Sequence, residues 1–330
     1  MHPKRPVTKA RRGGWAPVVA AALALVVAAA CGGSSPGDGP AATATTVTRD
    51  PGTTGGGPPS SAVASSGFGP AVERGLVSDE DVTESSGLVA SRRHPGRLWT
   101  HNDSGHPPVL FCVEPDGGSC GRWNVDGADN LDWEDIAAGP GPTAGEHYLY
   151  VGDIGDNDRS RDEVVVYRVV EPTVPDGGRG GGVTDQATAL RFRYDDGPHD
   201  AESLMVHPDT GDVYVVIKAA GDTGVYRGLS EGGVLTRVAT LGLGPLGVVT
   251  GGDISPDGRQ VALCTPFAGY EFTLAHGAAE PFDAIWKRPP GAVALPPREQ
   301  GESIAYRLDG NALLLTSEGQ PSPLFEVPRR

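Results

Sequence analysis

An acidic or small polar residue followed by a branched apolar residue that opens a strand recurs five times in this 330-residue chain. The copies centre on Leu88 (ESSGLVAS), Ile136 (DWEDIAAG), Leu204 (DAESLMVHP), Ile254 (GGDISPDG) and Ile304 (GESIAYRLDG). Successive anchors lie 48, 68, 50 and 50 residues apart. A repeat of that length suits one four-stranded unit of a radially repeated sheet, since a single unit cannot bury its apolar face without stacked neighbours. The spacing predicts an all-β chain built as a β-propeller of five blades, or six if the stretch 252–300 conceals a degenerate blade.

Strand signals fill the chain from about residue 71 onward, and helical periodicity is scarce. The second block reads as WEDIAAG innermost, then HYLYVGDIGDN, EVVVYRVV and ATALRFRYDD; the third repeats the scheme with AESLMVH, DVYVVIK, TGVYRGL and LTRVATL. Turns such as EPDGG, HPDTGD, SPDGR and RLDGN separate the strands. The long second spacing reflects a Gly-rich insert near Pro175 to Gly182. The last block offers only ESIAYRL, NALLLTSEG and SPLFEV before Arg330. Its missing outer strand is expected from Ala71 to Val77, which closes the ring by pairing the two ends.

Residues 1–30 read as an export signal. Lys4, Arg5, Lys9, Arg11 and Arg12 precede an apolar run from Trp15 to Ala30, short for a membrane span and right for a signal. Ala28-Ala29-Ala30-Cys31 resembles a lipobox, making Cys31 the expected lipidation site, with plain secretion the other reading. Residues 31–70 carry mostly Gly, Ser, Thr, Pro and Ala, which cannot bury enough apolar surface to order, and so read as a tether. Residues 71–330 are the expected propeller domain. The expected location is the outer face of the cell membrane, as a monomer.

Removing the five positive charges of the signal takes the formal net charge from −15 to −20 and leaves Lys218 and Lys287 as the remaining lysines. Binding nucleic acid by phosphate neutralisation is excluded on that balance. Cys112 and Cys120 flank a Pro-Asp-Gly-Gly turn, so an oxidising compartment makes them a candidate cross-strand disulfide. Cys264, in the strand QVALCTP, reads as a buried small apolar residue.

The innermost strand of each blade runs along the central channel, so residues at its start gather at one mouth. Those residues include Glu84, Asp132, Glu134, Asp135, Asp200, Glu202, Asp253 and Glu302. Carboxylates crowded in a low-dielectric funnel repel one another unless a cation or shared protons relieve them. Ca²⁺ is the matching guest, because it takes six to eight oxygen ligands. The competing reading is that these acids accept strand-end backbone N–H groups and tie blades together. A second polar series ends the second strands: His101 and Asp103, Asp153 with Asp156, Lys218, and Glu318. Asp153 and Asp156 are further candidate metal ligands, in a loop that is either oxygen-rich for a metal or an ordinary Asx turn. His101, Asp103, Lys218 and Glu318 are candidate ligand-binding residues; Lys218 holds either an anionic group or a structural ion pair.

The chain has no HExxH, CxxC, phosphate-cradling GxxxxGK[ST] or dinucleotide GxGxxG in strand–helix context. Gly228-Leu229-Ser230-Glu231-Gly232 spells GxSxG, but no helix follows to make a nucleophile elbow. Three functions fit what is left. The leading one is ligand binding at the acidic mouth with Ca²⁺. The others are Ca²⁺-dependent hydrolysis of phosphate esters, with Lys218 steadying the anion, and glycoside hydrolysis by two channel carboxylates.

The phrases ESSGLVASRRHPGRLWTHNDSG, DWEDIAAGP, YVGDIGDN, DAESLMVHPDTGDVYVV and GESIAYRLDGNALLLTSEG together resemble a family of exported actinobacterial propeller proteins, largely without assigned activity. The resemblance covers most of the chain from Glu84 to Val327. It departs at Leu263-Cys264-Thr265, where the family tends to carry Arg before Thr. More distantly the blade pattern looks like phytase-like and esterase-like propellers, whose phosphoester chemistry uses bridging Ca²⁺, a likeness of fold that says little of activity.

Overall fold

A computed structural model describes residues 67–275 and 280–330. The signal segment, Cys31 and most of the tether lie outside the described residues. Residues 67–70, expected to belong to the tether, already form part of the domain. Phe68 bridges Arg329 and is buried, with the Arg329 guanidinium 4.3 Å over its ring.

The strands sort into five four-stranded antiparallel units. The first is β2 (Ser85–Ala90), β3 (Leu98–Asn102), β4 (Val109–Val113) and β5 (Ser119–Asn124). The second is β6 (Trp133–Gly139), β7 (Tyr148–Asp153), β8 (Val164–Val170) and β10 (Thr188–Tyr194). The third is β11 (Ala201–Val206), β12 (Val213–Ile217), β13 (Asp222–Gly228) and β14 (Gly233–Gly242). The fourth is β15 (Gly251–Ile254), β16 (Gln260–Cys264), β17 (Gly269–Thr273) and β18 (Gly291–Val293), with a 3-10 helix, Phe282–Lys287, before its last strand.

The fifth unit joins β19 (Ala305–Tyr306), β20 (Ala312–Leu315) and β21 (Pro323–Pro328) to β1 (Val72–Leu76). β1 pairs antiparallel with β21, so the N-terminal strand completes the C-terminal unit. The Gly-rich insert forms β9 (Gly180–Val183), a parallel addition to β5 of the first unit. A short parallel pairing of β10 with β14 joins the second and third units into one eight-stranded sheet.

The innermost strands close a cycle: β2 meets β6, β6 meets β11, β11 meets β15, β15 meets β19, and β19 meets β2. That cycle is the propeller axis. An apolar cluster fills each seam between neighbouring units. Trp99, Trp123 and Trp133 lie in the first seam, and Tyr150, Phe192 and Tyr226 in the second. Tyr214, Phe272 and Trp286 occupy the third, Ile304 and Leu315 the fourth, and Leu88 with Leu324 the last. Removing one such buried aromatic costs about 3–5 kcal/mol, so each seam matters on the scale of a whole domain's stability. Cys112 and Cys120 form a disulfide between β4 and β5. Cys264 is a buried free thiol.

Candidate functional site

Every inner strand starts at the same mouth of the channel, and its local register decides which side chains face it. Trp133 pairs with Asp153 while Asp135 pairs with Gly152, so Glu134 is the extra residue of a β-bulge. Ala201 pairs with Ile217 and Ser203 with Val216, so Glu202 occupies the same place in the third unit. A bulge leaves one residue outside the ladder and re-aims its side chain. The sequence repeat put acids near these points; the bulges turn Glu134 and Glu202 into the mouth.

Asp103, Asp132 and Glu134 converge there, each offering a carboxylate oxygen within 4.8 Å of the others. Glu134 is 4% exposed, and among the described residues its carboxylate has neither a hydrogen-bond donor nor an ion-pair partner. Gly155 makes the approach sterically feasible. A Cβ there would lie 2.2 Å from Glu134 Oε1 and 2.4 Å from Asp132 Oδ2. Two carboxylates at such separations repel by roughly 3 kcal/mol at an effective dielectric near 20. Three ionised pairs would consume most of a domain's stability. Such a trio holds either protons or a cation.

The protonation preferences follow the same physics. Burial, then the charges of Asp103 and Asp200, pushes Asp132 up to about 6. Burial, then Glu202, Asp103 and Asp132, raises Glu134 well above the carboxylate range. Burial also raises Asp103. All three bind protons more tightly than ordinary acids.

Other expected residues flank the trio. Glu202 is bound by the Lys218 ammonium, in the turn after β12. Burial lifts Glu202 to about 8 against the pull of Lys218; burial works to lower Lys218, but Glu202, Glu134 and Asp200 together hold it above its ordinary value. Burial, then its neighbour Glu318, raises Glu302 well above the carboxylate range, and burial raises Glu318 as well. Gln300 Nε2 donates to Glu302 Oε1 at 2.7 Å. Glu84 sits at the rim, its Oε2 3.3 Å from His106 Nδ1. Asp200 accepts the Asp156 N–H at 2.9 Å.

Five expected residues are placed elsewhere, among them Asp135, whose carboxylate accepts the Leu204 N–H at 3.0 Å. Asp253 belongs to β15, which pairs residue for residue with β16 and has no bulge. It sits one residue before its anchor, in the phase of Asp135, whereas Glu134 sits two before; side chains alternate along a strand, so Asp253 misses the mouth. It accepts the Tyr306 N–H at 2.8 Å, and burial raises it to about 7. Asp153 accepts the Leu131 N–H and lies 2.7 Å from Arg161 Nη2, and Asp156 accepts the N–H groups of Ser160 and Arg161. These two build the β7–β8 loop, as an Asx turn does. His101 is fully buried edge-on against Trp133, with Nδ1 3.0 Å from the Asn102 carbonyl, and desolvation lowers it to about 4. It is a neutral core imidazole.

Sequence reasoning did not single out Gly155, Gln300 or His106. Gly155 was legible only as a turn glycine in YVGDIGDN, because the carboxylates that need its missing Cβ come from another strand.

No protein-family model matches the chain, and no curated protein matches it in sequence. Solved structures align over much of it at low identity. The nidogen/laminin complex is 14% identical over 72% of this chain and 73% of that one, with a TM-score of 0.43. The RRP9 WD40 repeats are 13% identical over 74% and 80%, with a TM-score of 0.40. A gluconolactonase from Xanthomonas campestris is 13% identical over 71% and 69%, with a TM-score of 0.41. Neither ligand nor activity transfers to this chain at that level of similarity.

Proposed function

We propose that this chain is an exported, lipid-anchored propeller that binds a divalent cation at its acidic channel mouth and presents that ion to a ligand. The observation carrying the reading is Glu134: a buried carboxylate without a protein donor, facing Asp132 and Asp103 across the space Gly155 leaves free. The donors are all carboxylate oxygens, which select hard cations over Zn²⁺ or Cu²⁺. Oxygen ligands about 2.4 Å from Ca²⁺ lie at most about 4.8 Å apart, which suits the spacing of the trio. Lys218 is engaged by Glu202, and this favours binding over a hydrolase that needs a free cationic side chain for the anion.

Thermal melting in EDTA and in excess CaCl₂ tests the site. At a hundredfold excess over Kd, one bound ion adds about 2.7 kcal/mol, an upward shift of roughly 5–10 °C for a domain of this size. Glu134→Gln is expected to abolish that shift. A wild-type melting curve indifferent to Ca²⁺ overturns the cation site. Radiolabelled palmitate incorporation that survives Cys31→Ala overturns the anchor.

A further inference from the structure

Four of the five units share one backbone bond at the mouth, from the end of the second strand to the start of the first. Asp103 N–H donates to Glu84 O at 3.1 Å, Gly155 N–H to Asp132 O at 3.2 Å, Lys218 N–H to Asp200 O at 2.8 Å, and Glu318 N–H to Gln300 O at 2.9 Å. Asp103, Gly155, Lys218 and Glu318 are therefore one structural position. Two acids stand opposite that position in the second unit, Asp132 and Glu134, and two in the third, Asp200 and Glu202. Glu134 and Glu202 are both bulge residues, 4% exposed each. The two units differ in what faces them. The second presents a glycine, and the third presents an ammonium, whose head group sits on Glu202 while its side chain stays 37% exposed at the rim.

We propose that the mouth holds two equivalent cation places, one for a diffusible divalent ion at Gly155 and one filled by the tethered ammonium of Lys218, so that Lys218 limits the mouth to a single ion. The inference rests on the cation site proposed above and assigns its stoichiometry to one residue. A bare Glu202 beside Asp200 and Glu134 would be a buried charge without compensation, which costs several kcal/mol. A lysine supplies one positive charge permanently, at no concentration cost. Its field also reaches Glu134 and Asp103, so the ammonium weakens the attraction of the neighbouring place for a divalent ion. Lys218 thus tunes affinity as well as number.

Calorimetric titration of the full-length chain with CaCl₂ alone decides the matter. Wild type is expected to bind one ion, Lys218→Met two, and Lys218→Arg one. The first ion should bind Lys218→Met at least tenfold more tightly than wild type. Gly155→Lys, which transplants the ammonium, should bind none and melt identically in EDTA and Ca²⁺. Wild type binding one ion while Lys218→Met also binds one overturns the tethered-cation assignment and leaves the cation site standing. Wild type binding none overturns the site itself. Should Lys218→Met unfold in EDTA, recovery of the fold in Ca²⁺ supports the assignment. If it stays unfolded in Ca²⁺, Gly155→Lys and the similarly bulky but uncharged Gly155→Met decide together: no ion in the first and one in the second supports the assignment, and equal binding by the two overturns it.

Discussion

Asp135 accepts the backbone N–H of Leu204 at 3.0 Å, across the seam between the second and third units. The same oxygen receives the Gly252 N–H at 3.3 Å from the fourth unit, so one carboxyl spans three inner strands at the axis. Asp253 repeats the arrangement toward Tyr306. The acids one residue before the anchors are bolts between units, and those two residues before form the mouth.

Asp135→Ala leaves at least the Leu204 N–H buried without an acceptor. Each such orphan costs about 1–3 kcal/mol, so a loss of roughly 2–4 kcal/mol is expected in urea unfolding. A change under 0.5 kcal/mol would mean that water replaces the carboxyl, and the bolt would lose its role.

Glu171 works the same way at the opposite end of the first seam. It is 1% exposed and accepts from Ser91 Oγ, Trp99 Nε1 at 2.8 Å, and the N–H groups of Arg92 and Arg93 at 3.3 and 3.0 Å. Glu171→Gln turns one acceptor into a donor facing donors. About 2–4 kcal/mol of destabilisation is expected, together with a red-shifted Trp emission as Trp99 loses its partner. Unchanged fluorescence and stability would refute this packing.

The Cys112–Cys120 disulfide closes a short loop, with a sequence separation of 8. Chain-entropy bookkeeping gives about 2.5 kcal/mol for a loop of this size. Replacing both cysteines with Ala should lower the unfolding free energy by that amount while leaving Ca²⁺ binding intact, because the pair packs in the first seam and neither cysteine is among the mouth residues. Loss of Ca²⁺ binding in that variant would place the mouth under its control.

The pH dependence of stability has a definite sign. Asp132, Asp253 and Glu202 are raised to about 6, 7 and 8, chiefly by burial, above the roughly 4 of unfolded carboxyls. The folded state then binds more protons than the unfolded chain between those limits. Cation-free stability therefore falls as pH rises from about 4 to 8. His101, lowered to about 4, and His207, also lowered by burial, contribute the opposite slope below about 6.5, two groups against several. In EDTA the protein should melt higher at pH 5.5 than at pH 8, and Ca²⁺ should recover the difference at pH 8. A melting temperature that rises with pH in EDTA would contradict the crowded-acid mouth.

Much of this molecule was written in the order of its residues. The five anchors, the strand blocks of the second and third units and the return of Val72–Leu76 to the last unit follow from hydrophobic period and turn chemistry, which act locally. The acidity of the mouth was equally legible, since acids recur beside each anchor. Tertiary structure decided which acids face one another. A single-residue difference in phase sends Asp253 into a seam and Glu134 into the channel, because side chains alternate along a strand and a bulge shifts that alternation. Bulges depend on how two strands pair, so no single strand's sequence reveals them. The contrast between Gly155 and Lys218 depended likewise on the ring closing, for only then do equivalent positions of different units stand side by side.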